Sequence, residues 1–231
     1  MSDAVVDCQA VVKTYQEESV PVHALRGVDL QISVGEFVSL SGPSGSGKST
    51  LLNVIGGLDR PDSGEVTVDN VALSKLSASQ LAHLRLHKIG FVFQAYNLIP
   101  VLSAQENVEF IMQLQGVDAS LRRQRAAEAL AALGLGDMRN RRPGELSGGQ
   151  QQRVAIARAI VTDPVLLLAD EPTANLDSGT TEELLALLQQ LNREHGMTIV
   201  TATHDPMVMS FTSRRVQLRD GMIEQDELAV A

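Results

Sequence analysis

Residues 28–34 (Val-Asp-Leu-Gln-Ile-Ser-Val) alternate apolar and polar positions, the period of a half-buried strand. Residues 5–12 are β-rich, and 36–40 form a short apolar run that enters a Gly-rich segment. A helix is expected over 51–55, closed by Gly56-Gly57, with strand-like runs at 65–68 and 89–93. The middle of the chain changes period. Residues 103–133 read as helical, with an Ala- and Arg-rich stretch at 122–133, and a further helix is expected from about 150 to 161. The last third alternates again. A wholly apolar strand at 165–169 is followed by an amphipathic helix at 180–194, for which Thr180 and Glu183 suggest a capping box and Gly196 a stop. A β-branched strand follows at 198–203, and Asp220-Gly221 reads as a hairpin turn.

Strands alternating with helices, some apolar on both faces, predict an α/β fold around a mainly parallel sheet. An antiparallel β portion is expected at the N-terminus, and the helical middle reads as an insertion. No internal repeat or low-complexity segment interrupts this pattern.

Composition narrows the function classes. The chain has 231 residues, 44% of them hydrophobic but only 3% aromatic and none Trp, so Leu, Val, Ile and Ala must build the core. The net charge of −9 argues against nucleic acid as the main ligand. The single cysteine, Cys8, rules out an intrachain disulfide and fits a reducing compartment; its apolar setting reads as packing. No run approaches the ~20 apolar residues of a membrane span. Met1-Ser2-Asp3-Ala4 is acidic, with no basic-then-apolar leader signal, so a cytoplasmic protein is expected, tied to a membrane only through a partner.

Three motifs carry chemistry. Gly42-Pro43-Ser44-Gly45-Ser46-Gly47-Lys48-Ser49 fits G-x-x-x-x-G-K-[ST] between an expected strand and an expected helix, with Thr50 next. Backbone N–H groups of such a loop and the helix N-terminus cradle phosphates, Lys48 reaches the β- and γ-phosphates, and the Ser49 hydroxyl ligates Mg²⁺. Asp170 and Glu171 end an apolar strand, at the edge where α/β sheets bind ligands. Asp170 is assigned to Mg²⁺ and Glu171 to polarising an attacking water. Leu146-Ser147-Gly148-Gly149-Gln150 opens a helix whose first N–H groups can meet an anion; alone it would pass for an ordinary Ser-capped start.

In this order the motifs resemble the ATPases of the ABC family, whose signature Leu146 to Gln150 matches without substitution. The resemblance covers about residues 4–226. It implies a P-loop NTPase core with an N-terminal antiparallel β subdomain and an inserted α-helical subdomain. The whole of 1–231 would be one ABC ATPase domain, its nucleotide-binding core at about 1–94 and 162–231 and its helical subdomain at about 95–161. Tyr15 resembles the aromatic that stacks on adenine, Gln94 the glutamine that touches Mg²⁺ and senses nucleotide, and His204 the histidine that contacts the γ-phosphate. Ala174-Asn175-Leu176-Asp177 resembles the loop that crosses between subunits, with Ala174 where Ser or Gly is usual. His23, His83, His87 and His195 match no landmark and read as surface or packing residues.

The resemblance further implies ATP and Mg²⁺ as cofactors, and ATP hydrolysis with Glu171, His204 and Lys48 as the catalytic set. A second copy of the chain would contribute Ser147, Gly148, Gly149 and Gln150 to each nucleotide in a head-to-tail dimer. It also implies an integral membrane permease as partner, met near residues 95–100 on the cytoplasmic side of the inner membrane. Residues 90–100 and 106–109 resemble the subgroup serving lipoprotein release, macrolide efflux and cell division. Powering export or extraction is therefore the expected role, the alternative being an ATP-driven regulator of a membrane partner.

Overall fold

The computed structural model describes residues 4–17 and 20–228. Residues 1–3, read above for a leader, lie outside it. The strands β1 (Ala4–Glu17) and β2 (Val20–Ser33) form a long antiparallel pair, extended by β4 (Ser63–Val68) and β5 (Val71–Ala72) in the order β2-β1-β4-β5. The alternation expected at 28–34 is met as far as 33, with Val28, Leu30 and Ile32 buried and Asp29, Gln31 and Ser33 facing out, while Val34, past the end of β2, is exposed. Cys8 is buried in this sheet, and burial pushes its thiol up to about 12, so it packs as a small apolar residue.

The second sheet has six strands in the order β10-β9-β3-β8-β7-β6. These are β3 (Phe37–Ser41), β6 (Ile89–Val92), β7 (Leu166–Asp170), β8 (Thr198–Ala202), β9 (Arg214–Arg219) and β10 (Met222–Leu228). All neighbours pair in parallel except β9 with β10, which are joined by the expected turn, Asp220 (φ 49) and Gly221 (φ 79). The apolar strand β7 is covered on both faces. Leu166 and Leu168 pack with α1 (Lys48–Ile55) and the antiparallel sheet. Leu167 and Ala169 pack with the helical layer of α3 (Ala104–Leu114), α4 (Ala119–Ala132) and α5 (Gly148–Ile160), and with α6 (Ser178–His195).

Several local expectations are corrected. The helical stretch 103–133 is two helices, because Gly116 turns the chain left-handed (φ 78) between them. The helix α2 (Ala78–Lys88) lies in a segment with no predicted element, although Ser77 and Gln80 form a capping box there. The helix expected from Thr180 begins at Ser178. Asp177 is its N-cap, accepting from Thr180 N at 3.0 Å, and the Thr180 hydroxyl is spent on Asp177 Oδ2 at 2.7 Å. Glu183 pairs instead with Arg153. Gly196 (φ 63) does stop the helix. Among the described residues no helix is long and apolar enough to cross a membrane.

Candidate functional site

Parallel strands point their carboxyl ends one way, and the candidate residues collect at that edge. Residues 42–47 join β3 directly to α1, with Lys48 and Ser49 opening the helix. The loop is tight. A Cβ at Gly42 (φ 141) would lie 2.2 Å from Leu218 O, and one at Gly47 (φ 103) 2.5 Å from Ala24 O, so side chains are excluded at both positions. Lys48 is buried and donates from Nζ to Gly42 O (2.7 Å) and Pro43 O (2.9 Å), which holds its ammonium in the mouth of the loop. The Ser46 hydroxyl is buried without a partner among the described residues.

Two strands away in the same sheet, β7 delivers Asp170 to the loop. Ser49 Oγ donates to Asp170 Oδ1 at 3.1 Å, joining positions 121 residues apart. Burial, and secondarily the charge of Glu171, push the Asp170 carboxyl above its ordinary value, against the Ser49 hydrogen bond and the Lys48 charge. The next residue leaves the strand in a left-handed conformation: Glu171 has φ 45 and donates its N–H to Ala202 O at 2.9 Å. A non-glycine residue held this way costs ~1–3 kcal/mol and is typical of functional positions. The turn aims Glu171 at the end of β8, where its Oε1 lies 2.8 Å from His204 Nδ1 and its Oε2 accepts from Thr203 Oγ1 at 3.5 Å. Thr203, absent from the sequence-derived set, is the additional partner the structure reveals.

Ser49, Asp170 and Gln94 offer only oxygen donors for a metal, a set suited to Mg²⁺, and a divalent cation would offset the cost of the buried Asp170 charge. No group of three or more His, Cys, Asp or Glu suited to a metal occurs among the described residues; Mg²⁺ normally takes one or two carboxylates plus substrate phosphates and water. Gln94 follows β6, the neighbour of β7, and its carbonyl accepts from Asn175 Nδ2 at 3.1 Å.

The phenol of Tyr15 donates to Asp59 Oδ2 at 2.7 Å, and Lys13, bonded to Asp59 at 2.8 Å, stands 5.1 Å from the Tyr15 ring centre. Partial burial and the Asp59 carboxylate push the phenol above its ordinary value, while the Thr50 hydroxyl beside it acts in the other direction. Tyr15 is thereby brought alongside the residue that follows the phosphate loop.

Ser147 to Gln150 are not part of this cluster. They cap α5, with Gln150 N donating to Ser147 Oγ (3.3 Å) and Ser147 N to Gln150 Oε1 (2.9 Å). Ser147, Gly149 and Gln150, with Arg153, Thr180 and Glu183, line a separate cleft of about 210 Å³ that includes no phosphate-loop residue. A third feature is an apolar cleft of about 460 Å³ between α2, β6 and α3, lined by Leu86, Phe91, Phe93, Ile99, Phe110 and Arg158.

Residues 25–174 match the family model described as ABC transporter. The chain is 50% identical over 221 residues to an uncharacterized ABC transporter ATP-binding protein, MJ0796, of Methanocaldococcus jannaschii, covering 94% of each. It is 49% identical over 227 residues to the macrolide export ATP-binding/permease protein MacB of Syntrophobacter fumaroxidans, covering 97% of this chain and 32% of that protein. The chain thus spans about a third of the length of that relative. In structure it matches the dimeric post-hydrolysis state of the ATP-binding cassette MJ0796 bound to ADP and Pi, with a TM-score of 0.91 and 47% identity over 98% of this chain and 99% of that one.

Proposed function

The chain belongs to the ABC transporter family, and from that premise we propose that it binds ATP with Mg²⁺ and hydrolyses it to drive a membrane complex. The observation that carries the reading is the joining of Ser49 to Asp170 and of Glu171 to His204 at one sheet edge, over a loop built for phosphates. Lys48 exchanges its loop carbonyls for β- and γ-phosphate oxygens, and the N–H groups of residues 44–50 cradle the remainder. Ser49, Asp170 and Gln94 would hold Mg²⁺, which would supply positive charge beside the phosphates. Glu171 accepts a proton from the attacking water, and His204 orients Glu171 and meets the γ-phosphate. Tyr15 receives the adenine.

Two copies are needed. Ser147, Gly149 and Gln150 line a cleft without phosphate-loop residues, which supports use of the signature by a second chain's nucleotide in a head-to-tail pair. Residues 95–161 act as the helical subdomain against a core of 1–94 and 162–231. Its apolar cleft, to which Asn97 and Ile99 contribute, receives a cytoplasmic helix of a permease, and the chain is held at the cytoplasmic face of the inner membrane through that contact. The macrolide-export likeness supports export or extraction as the work done.

The test is ATP hydrolysis by the purified chain over a range of protein concentrations, beside Glu171→Gln. Activity per chain that rises with concentration and is lost in the variant, with ATP binding retained, supports the paired site. Flat activity, indifferent to the substitution, removes it.

A further inference from the structure

Gln94 is carried by a turn with two backbone hydrogen bonds of its own, Tyr96 N–H to Phe93 O (3.1 Å) and Asn97 N–H to Ala95 O (2.6 Å). Tyr96 (φ 57) and Asn97 (φ 50) are both left-handed, and neither is glycine. Their carbonyls are gathered by one side chain: Arg158 donates Nη1–H to Asn97 O at 2.5 Å and Nη2–H to Tyr96 O at 2.9 Å. The planar fork of a guanidinium matches two successive carbonyls as an ammonium does not. Burial lowers the Arg158 pKa, so these two acceptors replace part of its lost hydration.

The same turn is fixed at two further points. Asn175, four residues after Glu171, donates to the carbonyl of Gln94 itself. The Tyr96 hydroxyl lies where a Cβ at Gly148 would come within 2.9 Å. The turn therefore lies along α5, touched by Gly148 near one end and by Arg158 near the other. Arg158 also lines the apolar cleft with Phe91, Phe93 and Ile99.

We infer that Arg158 is a positioning residue, whose guanidinium fixes the turn at 95–97 so that Gln94 is held for the nucleotide's metal. The inference rests on the reading of Gln94 as a contact to that metal. Cysteine-, histidine- or acid-based chemistry has no part in it: the linkage consists of one cation and two backbone carbonyls.

The experiment is steady-state ATP hydrolysis against Mg²⁺ concentration for the wild-type chain, Arg158→Met, Arg158→Lys, Gln94→Ala and the double variant Arg158→Met/Gln94→Ala. Arg158→Met is expected to lower kcat by about tenfold and to raise the Mg²⁺ needed for half-maximal rate, as loss of a residue that positions a metal contact should. ATP binding in EDTA stays unchanged, and Arg158→Lys recovers part of the rate. The double variant is no slower than the slower single one, because both substitutions strike the same element. Losses that multiply, or an Arg158→Met chain with wild-type Mg²⁺ dependence, overturn the proposal. If Arg158→Met does not fold, Arg158→Lys with Gln94→Ala is read by the same criteria. Gln94→Ala with unaltered Mg²⁺ dependence removes the underlying reading and the proposal together; an impaired Gln94→Ala beside an unimpaired Arg158→Met removes the proposal alone.

Discussion

Glu171 and His204, which follow the ends of neighbouring strands β7 and β8, meet through a 2.8 Å contact between Oε1 and Nδ1. The carboxylate is nearly buried, with 16% of its side chain exposed, whereas 73% of the imidazole is open to solvent. The left-handed turn at Glu171 is what brings the two together, since a residue continuing β7 would point along the strand's own alternation. The strained backbone thus serves one bond at the site's exposed side.

His204→Ala is expected to lower turnover by about 10²-fold while ATP binding persists, because a group that orients a general base acts on the chemical step. Its exposed bond carries little folding energy, so stability should stay within about 0.5 kcal/mol of wild type. Single-turnover hydrolysis alongside urea unfolding checks both; a variant that hydrolyses normally would remove His204 from the site.

Asp170→Asn should make the nucleotide-free protein more stable. Burial raises the pKa of this carboxyl in the folded chain, with the Glu171 charge adding to it, so the native state holds the proton more tightly than the unfolded one. Such a group contributes stability that is fully present below its unfolded pKa and is lost as pH rises through the folded value. Near neutral pH the native protein carries the penalised charge, and the amide removes it, raising Tm by about 2–4 °C. The gain should vanish below about pH 4, where both states are protonated. Thermal scans of the two proteins across that range decide it, and a lower Tm for the variant at neutral pH would contradict the assignment.

The motifs and the parallel sheet were legible in the sequence because each rests on local chemistry. Gly42 to Ser49 announce a turn, Leu166 to Ala169 a strand buried on both faces, and Gly196 a stop. Features built from backbone acceptors were not legible. Arg158 bonds carbonyls 61 and 62 residues away, and any residue supplies a carbonyl, so no pattern of side chains records the contact. Residues 20–27 escaped for a related reason: the first four positions of β2 are all exposed, and the strand is held there by pairing to β1 without an apolar alternation. At Thr180 the expected capping box does not form, and the bonds to Asp177 place the start of the helix earlier.

That placement can be measured. Asp177→Ala removes the side chain that caps α6 and should cost about 1 kcal/mol. Glu183→Ala breaks only an exposed ion pair with Arg153 and should cost no more than about 1 kcal/mol, and commonly less. Urea unfolding of the two variants ranks them; the reverse order would restore Thr180 as the cap.

Glycine at 149 answers to packing between two helices. Gly149 lies in the first turn of α5, where alanine would ordinarily be favoured by about 1 kcal/mol. Here a Cβ would stand 2.4 Å from Thr180 Cγ2. Thr180 cannot simply rotate away, because its hydroxyl donates to Asp177 Oδ2 at 2.7 Å and its backbone N–H is held by the same carboxylate. Gly149→Ala is therefore expected to destabilise the protein by about 1–3 kcal/mol in spite of the better helix propensity. Thr180→Ser deletes the clashing methyl and keeps the hydroxyl, and alone it should change stability by no more than about 0.5 kcal/mol. Combined, the two substitutions should recover most of the loss, a non-additivity that denaturant unfolding of all three variants reads directly. A Gly149→Ala chain as stable as wild type, or one that Thr180→Ser does not rescue, would mean that the approach of α6 to α5 is not what requires glycine there.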